Sequence, residues 1–402
     1  MKSNLMLLGL AMLCVAAIPT RGSADDEKES RLRFWGDLRG RYEGFWFRLD
    51  ETGSDRTHRS RIRYRFRLNM NAKIHDHAKV EAQLSTGDID NRSGNQTLGS
   101  PVDFGSNEID LRRAYLIYYP FKDGGLGQRD GSWEWHFGRV ANPFLWKNGK
   151  DIMLWDSDIN PAGLSTKFDI EFETRTTLFA NAGYYAIDEN GRARDPILLA
   201  IQAGVKQGIS KSWNGGARLS YYAFDHLDAD FVDRGVSGIN GVTSGGGNTK
   251  NGLTGDPNGG NLHVLETQLF LQGKPQSVAV YGGYSNNFSA SDPSPTLSKQ
   301  PNAFNVGAQV GNKKRSYGRI GLMYVWIEAD AFPSQFIDSD LLDGRTNRKG
   351  GLLYYSRNIV KAIDFNFQLF ASDAIEADVT NPDESVANSE RIRSQVDVVY
   401  SF

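Results

Sequence analysis

From Arg59 to Asn71 every second position is cationic or amide-bearing: Arg59, Arg61, Arg63, Arg65 and Arg67, then Asn69 and Asn71. Upstream, Arg33, Arg39 and Arg41 share one parity with Asp37 and Glu43, and near the far end Arg391 and Arg393 repeat the spacing. Guanidinium groups arrayed this way supply neither a nucleophile nor a general base. They supply fixed positive charge, which attracts anions and orients dipolar solutes. Catalytic constellations are missing from the rest of the chain. It has no G-x-S-x-G turn, no H-E-x-x-H, no G-K-[ST] phosphate loop and no dinucleotide glycine fingerprint. No catalytic residue, metal site or cofactor is therefore assigned, and an enzyme is not expected.

What positions the arginines is a strand. Between them stand Ile62, Tyr64, Phe66, Leu68, Met70 and Ala72, a strict period of two. Successive strand side chains point to opposite faces, so one face is a cationic ladder and the other is continuously apolar. Such a ladder is too densely charged for the outer face of a soluble sandwich. Lipid on the apolar side and water on the charged side fit it better, as in a transmembrane barrel with a wet lumen. That same arrangement argues against nucleic acid, which would need the arginine face exposed in solution.

The alternation begins at Leu32, where Leu32, Phe34, Leu38, Tyr42 and Trp46 oppose Arg33, Asp37, Arg39, Arg41 and Glu43. It recurs to the last strand, 389–402, and predicts sixteen strands, an even number that can close as an antiparallel barrel. In LRRAYLIYY, within the strand near 107–119, the two faces are not cleanly separated. Connections alternate long and short, the long ones near 48–58, 88–106, 141–163, 186–195, 225–261, 288–301, 329–349 and 373–388. The long set is expected outside the cell and the short set in the periplasm. If the strands close, Arg391 and Arg393 lie beside strand one, making one wall with Arg61, Arg63, Arg65 and Arg67.

Export is expected from the start of the chain. Lys2, the apolar run Leu5 to Ile18 and the small residues Gly22, Ser23 and Ala24 read as a signal peptide over 1–24, leaving 25–402 as one barrel domain. The single cysteine, Cys14, lies inside that run, so disulfides and thiolate chemistry are excluded downstream. No later apolar stretch approaches the roughly 20 residues of a spanning helix.

Four segments carry a family resemblance: GRVANPF (Gly138 to Phe144), LWDSDINPAGL (Leu154 to Leu164), DSDLLDGRTNRKG (Asp338 to Gly350) and the terminal Tyr400-Ser401-Phe402. With them the sequence is similar to the bacterial outer-membrane porins, more narrowly the putative-porin group of Gram-negative bacteria. The resemblance implies a passive channel for small hydrophilic solutes in the outer membrane, surrounded by lipid and commonly trimeric. It implies that the third long loop, 141–163, folds into the lumen, bringing Asp151, Asp156 and Asp158 opposite the arginine wall. It also makes Tyr400 and Phe402 a signal read by the barrel-assembly machinery. Charge of this kind sets selectivity in pores, so anions or zwitterions are the expected solutes, although the same arginines could serve only as a solvated wall. A second reading makes the barrel a sheath around a partner such as a multihaem cytochrome or an export component. The chain itself has no C-x-x-C-H haem site.

Overall fold

The computed structural model describes residues 31–47, 59–87, 92–100, 105–126, 130–146, 154–189, 194–228, 247–249, 253–254, 259–273, 277–376 and 390–402. The expected signal peptide, Cys14 and Asp151 lie outside them. Among the described residues sixteen long strands follow one another: β1 (Leu32–Phe47), β2 (Arg59–His75), β3 (Ala78–Thr86), β4 (Ile109–Tyr118), β5 (Gly131–Arg139), β6 (Ala162–Phe172), β7 (Thr176–Ala186), β8 (Ile197–Gly208), β9 (Trp213–Asp228), β10 (Gly259–Gly273), β11 (Ala279–Asn287), β12 (Asn302–Gly311), β13 (Arg319–Ile327), β14 (Arg348–Val360), β15 (Ile363–Ala374) and β16 (Arg391–Ser401). Each pairs antiparallel with its chain neighbour, and β16 returns to β1 from Asp37↔Ser401 to Phe47↔Arg391. The sheet is closed, with sixteen strands as the alternation predicts.

Closure lets both faces of every strand be used, because no edge is left with unpaired backbone groups. The outward face is apolar and open to its surroundings, with Leu38 at 48%, Tyr42 at 46% and Ile62 at 55% exposure. In a soluble protein a belt of this extent would drive association. Lipid satisfies it. At the short-turn rim the chain end is fastened to the first strand: the Gly36 and Phe402 backbones exchange hydrogen bonds of 3.0 and 3.1 Å, and the Phe402 ring stacks on Phe66 at 6.2 Å. Gly36 is required there, since a Cβ would lie 2.6 Å from the Phe402 ring.

Where the sequence pattern blurs, the register slips. Gln83 pairs with Arg113, but Leu84 pairs with Leu111, so Arg112 is an extra residue in β4. A bulge of this kind inverts the alternation beyond it. Leu111, Leu116 and Tyr118 all face outward, whereas Arg112, Tyr115 and Ile117 are buried inward. Two consecutive arginines therefore reach the lumen side.

The interior is not uniformly polar. Inward-facing Tyr185, Leu198, Tyr222, Phe224, Leu262 and Val264 pack with Phe144, Leu154 and Trp155 from the third long loop (140–161, loop 3) and with Phe332, Phe336, Ile337 and Leu341 from the seventh (328–347, loop 7). The described parts of both loops fold inward and form a small apolar core within the barrel.

Candidate functional site

The arginine wall assembles on β16, β1 and β2. Arg41 lies opposite both Arg63 and Asp397, Arg39 opposite Arg65, Glu43 opposite Arg61 and Gln395, and Asp37 opposite Arg67. Like charges facing across strands repel, and this wall answers the repulsion with carboxylates of its own. Arg41 grips Asp397 through two nitrogens at 2.7 and 2.9 Å. Asp37 takes Arg65 at 2.9 Å and Arg67 at 2.8 Å. Glu43, with none of its side chain exposed, pairs with Arg61 and Arg393, and Arg63 stands 3.6 Å away.

Further countercharge comes from loop 7. Asp340 binds Arg41 at 2.8 Å and Arg393 at 2.7 Å, and Asp343 binds Arg391 at 2.8 Å. Burial by itself would raise the Asp340 carboxyl, but Arg41 and Arg393 hold it well below the usual carboxylate range. Asp343 is lowered in the same way by Arg391 and Arg393, against burial. Arg39 turns to loop 2 instead, donating to Asn95 Oδ1 at 2.5 Å, and Arg33 lies exposed toward the short-turn rim.

Loop 3 makes a different contribution from the one its order in the chain implies. Asp158 approaches the wall, 3.6 Å from Arg67. Asp156, only 3% exposed, turns away from it and accepts the Asp158 amide at 2.8 Å and the Ser339 amide at 2.7 Å. It therefore ties loop 3 to loop 7. Burial, with the neighbouring Asp338 and Asp158 charges, pushes its carboxyl well above the ordinary value.

A residue that the strand pattern does not single out organises loop 7. Arg92, on the second long loop, donates through Nη1 to the carbonyls of Ser334 at 2.9 Å, Ile337 at 3.2 Å and Gly344 at 3.1 Å. Its own carbonyl accepts Ser339 Oγ at 3.1 Å. One buried guanidinium thus gathers three carbonyls of an irregular segment. Replacing it with alanine strands those acceptors and should loosen loop 7 by about 2 kcal/mol. Hydrogen exchange would report this as lost protection over 334–344 with the barrel strands unchanged; an unaltered loop would show that Arg92 is dispensable.

Beneath loop 3, toward the short-turn end, lies a cavity of about 730 Å³ along β2 to β8. Ala141 to Pro143 with Leu145 and Trp146 of loop 3 line one side, and strand residues including Lys79, Glu81, Arg113, Glu134, Lys167 and Lys206 line the rest. His136 lies inward on this wall, its Nε2 2.8 Å from Glu134. The loop segment is hung in place by its backbone: Phe144 O accepts Gln202 Nε2 at 2.9 Å and also Arg218, and Pro143 O accepts Asn181 Nδ2 at 3.0 Å.

A closed barrel with inward loops, a charged wall and a polar internal cavity can be set beside known proteins. Residues 49–238 match the family model described as putative porin. Over those residues, just under half of its length, the chain is similar to that family. Comparison with curated proteins finds no match. Among solved structures, the chain is similar to OprB of Pseudomonas putida in its high-pH structure, with a TM-score of 0.56, 11% identity and coverage of 92% of this chain and 94% of that one. It is also similar to OmpF of Salmonella typhi in complex with daunomycin, with a TM-score of 0.50, 12% identity and coverage of 92% and 97%. At such identities the likeness is one of fold. The family match and the fold both point to an outer-membrane channel.

Proposed function

We propose that the protein is a passive diffusion channel for small hydrophilic solutes with a preference for anions or zwitterions. The observation that carries this reading is the charge on the lumen side: among the described residues eight arginines, Arg39, Arg41, Arg61, Arg63, Arg65, Arg67, Arg391 and Arg393, meet six carboxylates in their ion pairs, a positive excess within that set. Loops 3 and 7 narrow the space beside that wall, and a narrow low-dielectric passage focuses the field of such an excess. Trimeric association and delivery by the assembly machinery through Tyr400 and Phe402 belong to the same proposal; the Phe402 contacts with Gly36 and Phe66 support a role in closing the barrel.

A barrel sheathing a folded partner has less support. The chain's own loops occupy the lumen, and the cavity under loop 3 is the size of a small molecule.

In planar bilayers across a potassium chloride gradient, the protein should give open-channel current with its reversal potential on the anion side. Reversing charge at Arg61 and Arg67, whose side chains remain 20% and 28% exposed, should move that potential toward cations. An unmoved potential would remove the wall from selectivity, and no current at all would overturn the channel.

A further inference from the structure

We propose that the cavity beneath loop 3 is a binding site for small organic carboxylates, with the ligand charge held by Lys79 and Lys206 and its apolar body against the rings beneath those amines. This deepens the channel reading and rests on it.

The charges on the ladder are largely spent within the wall. Arg41 is 2% and Arg393 4% exposed, and both are ion-paired. The cavity is composed differently. Its carboxylates are engaged by groups of the wall itself: Glu81 accepts Tyr115 Oη and Asn71 Nδ2, Asp169 accepts Ser132 Oγ, and Glu134 faces His136 and Lys167. Glu171 alone stands exposed, toward the rim.

Lys79, Arg113 and Lys206 make no ion pair within 4.0 Å among the described residues; Arg113 instead donates to Asn69 at 3.0 Å. The two lysines are held over aromatic faces, Lys79 Nζ 5.1 Å from the Tyr119 centroid and Lys206 Nζ 5.3 Å from the Phe179 centroid. A ring orients an ammonium without neutralising it. The sequence makes room for one of these stacks, since a Cβ on Gly204 would lie 2.4 Å from the Phe179 ring.

Neutral donors leave the charge of Glu81 and Asp169 in place, and the lining carries four cations and four carboxylates. What it offers an anion is the two ammonium groups outside any ion pair among the described residues, each over a ring, with Leu145 and Trp146 of loop 3 also lining the site. An inorganic anion can use only the charge, and a neutral aromatic can use only the rings. A carboxylate with a hydrocarbon body uses both, and the volume suits one such molecule.

Calorimetry on the full barrel in detergent would test this with benzoate, benzamide and acetate as probes. Benzoate should bind about tenfold more tightly than either of the others. The double substitution Lys79→Met and Lys206→Met should lower benzoate affinity about tenfold and leave benzamide unchanged. Lys206→Arg should retain binding, and Lys313→Met at a remote turn should have no effect. If the double variant does not fold by circular dichroism, each single substitution carries the same expectation at smaller size. Equal binding of benzoate and benzamide, or benzoate binding indifferent to both lysines, overturns the site. Because calorimetry needs no current, a barrel that binds benzoate but conducts nothing would overturn the channel reading alone. A conducting barrel without carboxylate discrimination would overturn the site alone.

Discussion

Replacing Glu43 with glutamine should cost the folded barrel about 3–5 kcal/mol, the usual consequence of removing one partner from a buried ion cluster. Glu43 has no exposed side-chain surface and is paired with Arg61 and Arg393, with Arg63 nearby and Gln395 Nε2 donating to it at 3.0 Å. Glutamine preserves shape and one acceptor but removes the charge on which these guanidiniums depend. Asp340 can offset part of the loss at Arg393, which it already contacts at 2.7 Å, whereas Arg61 and Arg63 have no other carboxylate within 4.0 Å among the described residues. Urea unfolding in lipid vesicles would measure the cost. A double-mutant cycle with Arg393→Gln should show strong coupling, because the two residues share a network. A cost below about 1 kcal/mol would mean that water or salt already screens the cluster as it does a surface pair.

Much of this arrangement is legible in the order of the amino acids alone, for a definite reason. A strand with lipid on one side and charge on the other must alternate, so β1, β2 and β16 stand out and their parity places Arg41, Arg63 and Arg393 on one wall. The pattern fails wherever something other than lipid and water sets the polarity of a face. Arg112 in its bulge breaks parity, so LRRAYLIYY looks mixed although both of its faces are well defined. On β7 to β9, Tyr185, Leu198, Tyr222 and Phe224 are apolar yet face inward, because the inward loops cover them. Loop geometry is the least legible part. Asp156 and Asp158 stand two residues apart, yet one serves loop 7 and the other the wall. Arg92 carries no signal beyond being an arginine in a polar loop, because its three acceptors are backbone carbonyls.

Loop 7 contains two kinds of carboxylate, and together they make its docking depend on pH. Asp340 and Asp343, facing Arg41, Arg391 and Arg393, are held low and keep the foot of the loop clamped well into the acid range. Asp330 and Asp338 are held instead by neutral donors. Asp330 accepts the Thr249 amide and hydroxyl at 2.9 Å, joining loop 7 to the fifth long loop, and burial with the Glu328 charge pushes it up to about 7. Asp338 accepts the Asp340 and Leu341 amides at 2.9 Å, and burial with the Asp340 charge pushes it up to about 6, against a lowering influence from Arg393. On the loop 3 side, Asp156 is raised by burial and by Asp338 and Asp158. A carboxyl whose pKa is raised by docking contributes its full stabilisation below its ordinary value near 4, and loses it as pH rises through the docked value. The seams of loop 7 with its neighbours should therefore be firmest in acid and weaken between about pH 4 and 7, while the arginine clamp holds throughout. Hydrogen exchange, corrected for intrinsic rate, should show protection of the Ser339 and Thr249 amides falling by about tenfold for each unit of pKa shift released. Asp330→Asn with Asp338→Asn keeps an acceptor at each position, removes both titrations and should flatten the profile, leaving the residual slope to Asp156. Protection that is flat with pH in the unaltered protein would mean that these carboxylates are solvated rather than buried. A slope unchanged in the double variant would assign the titration to Asp156 alone.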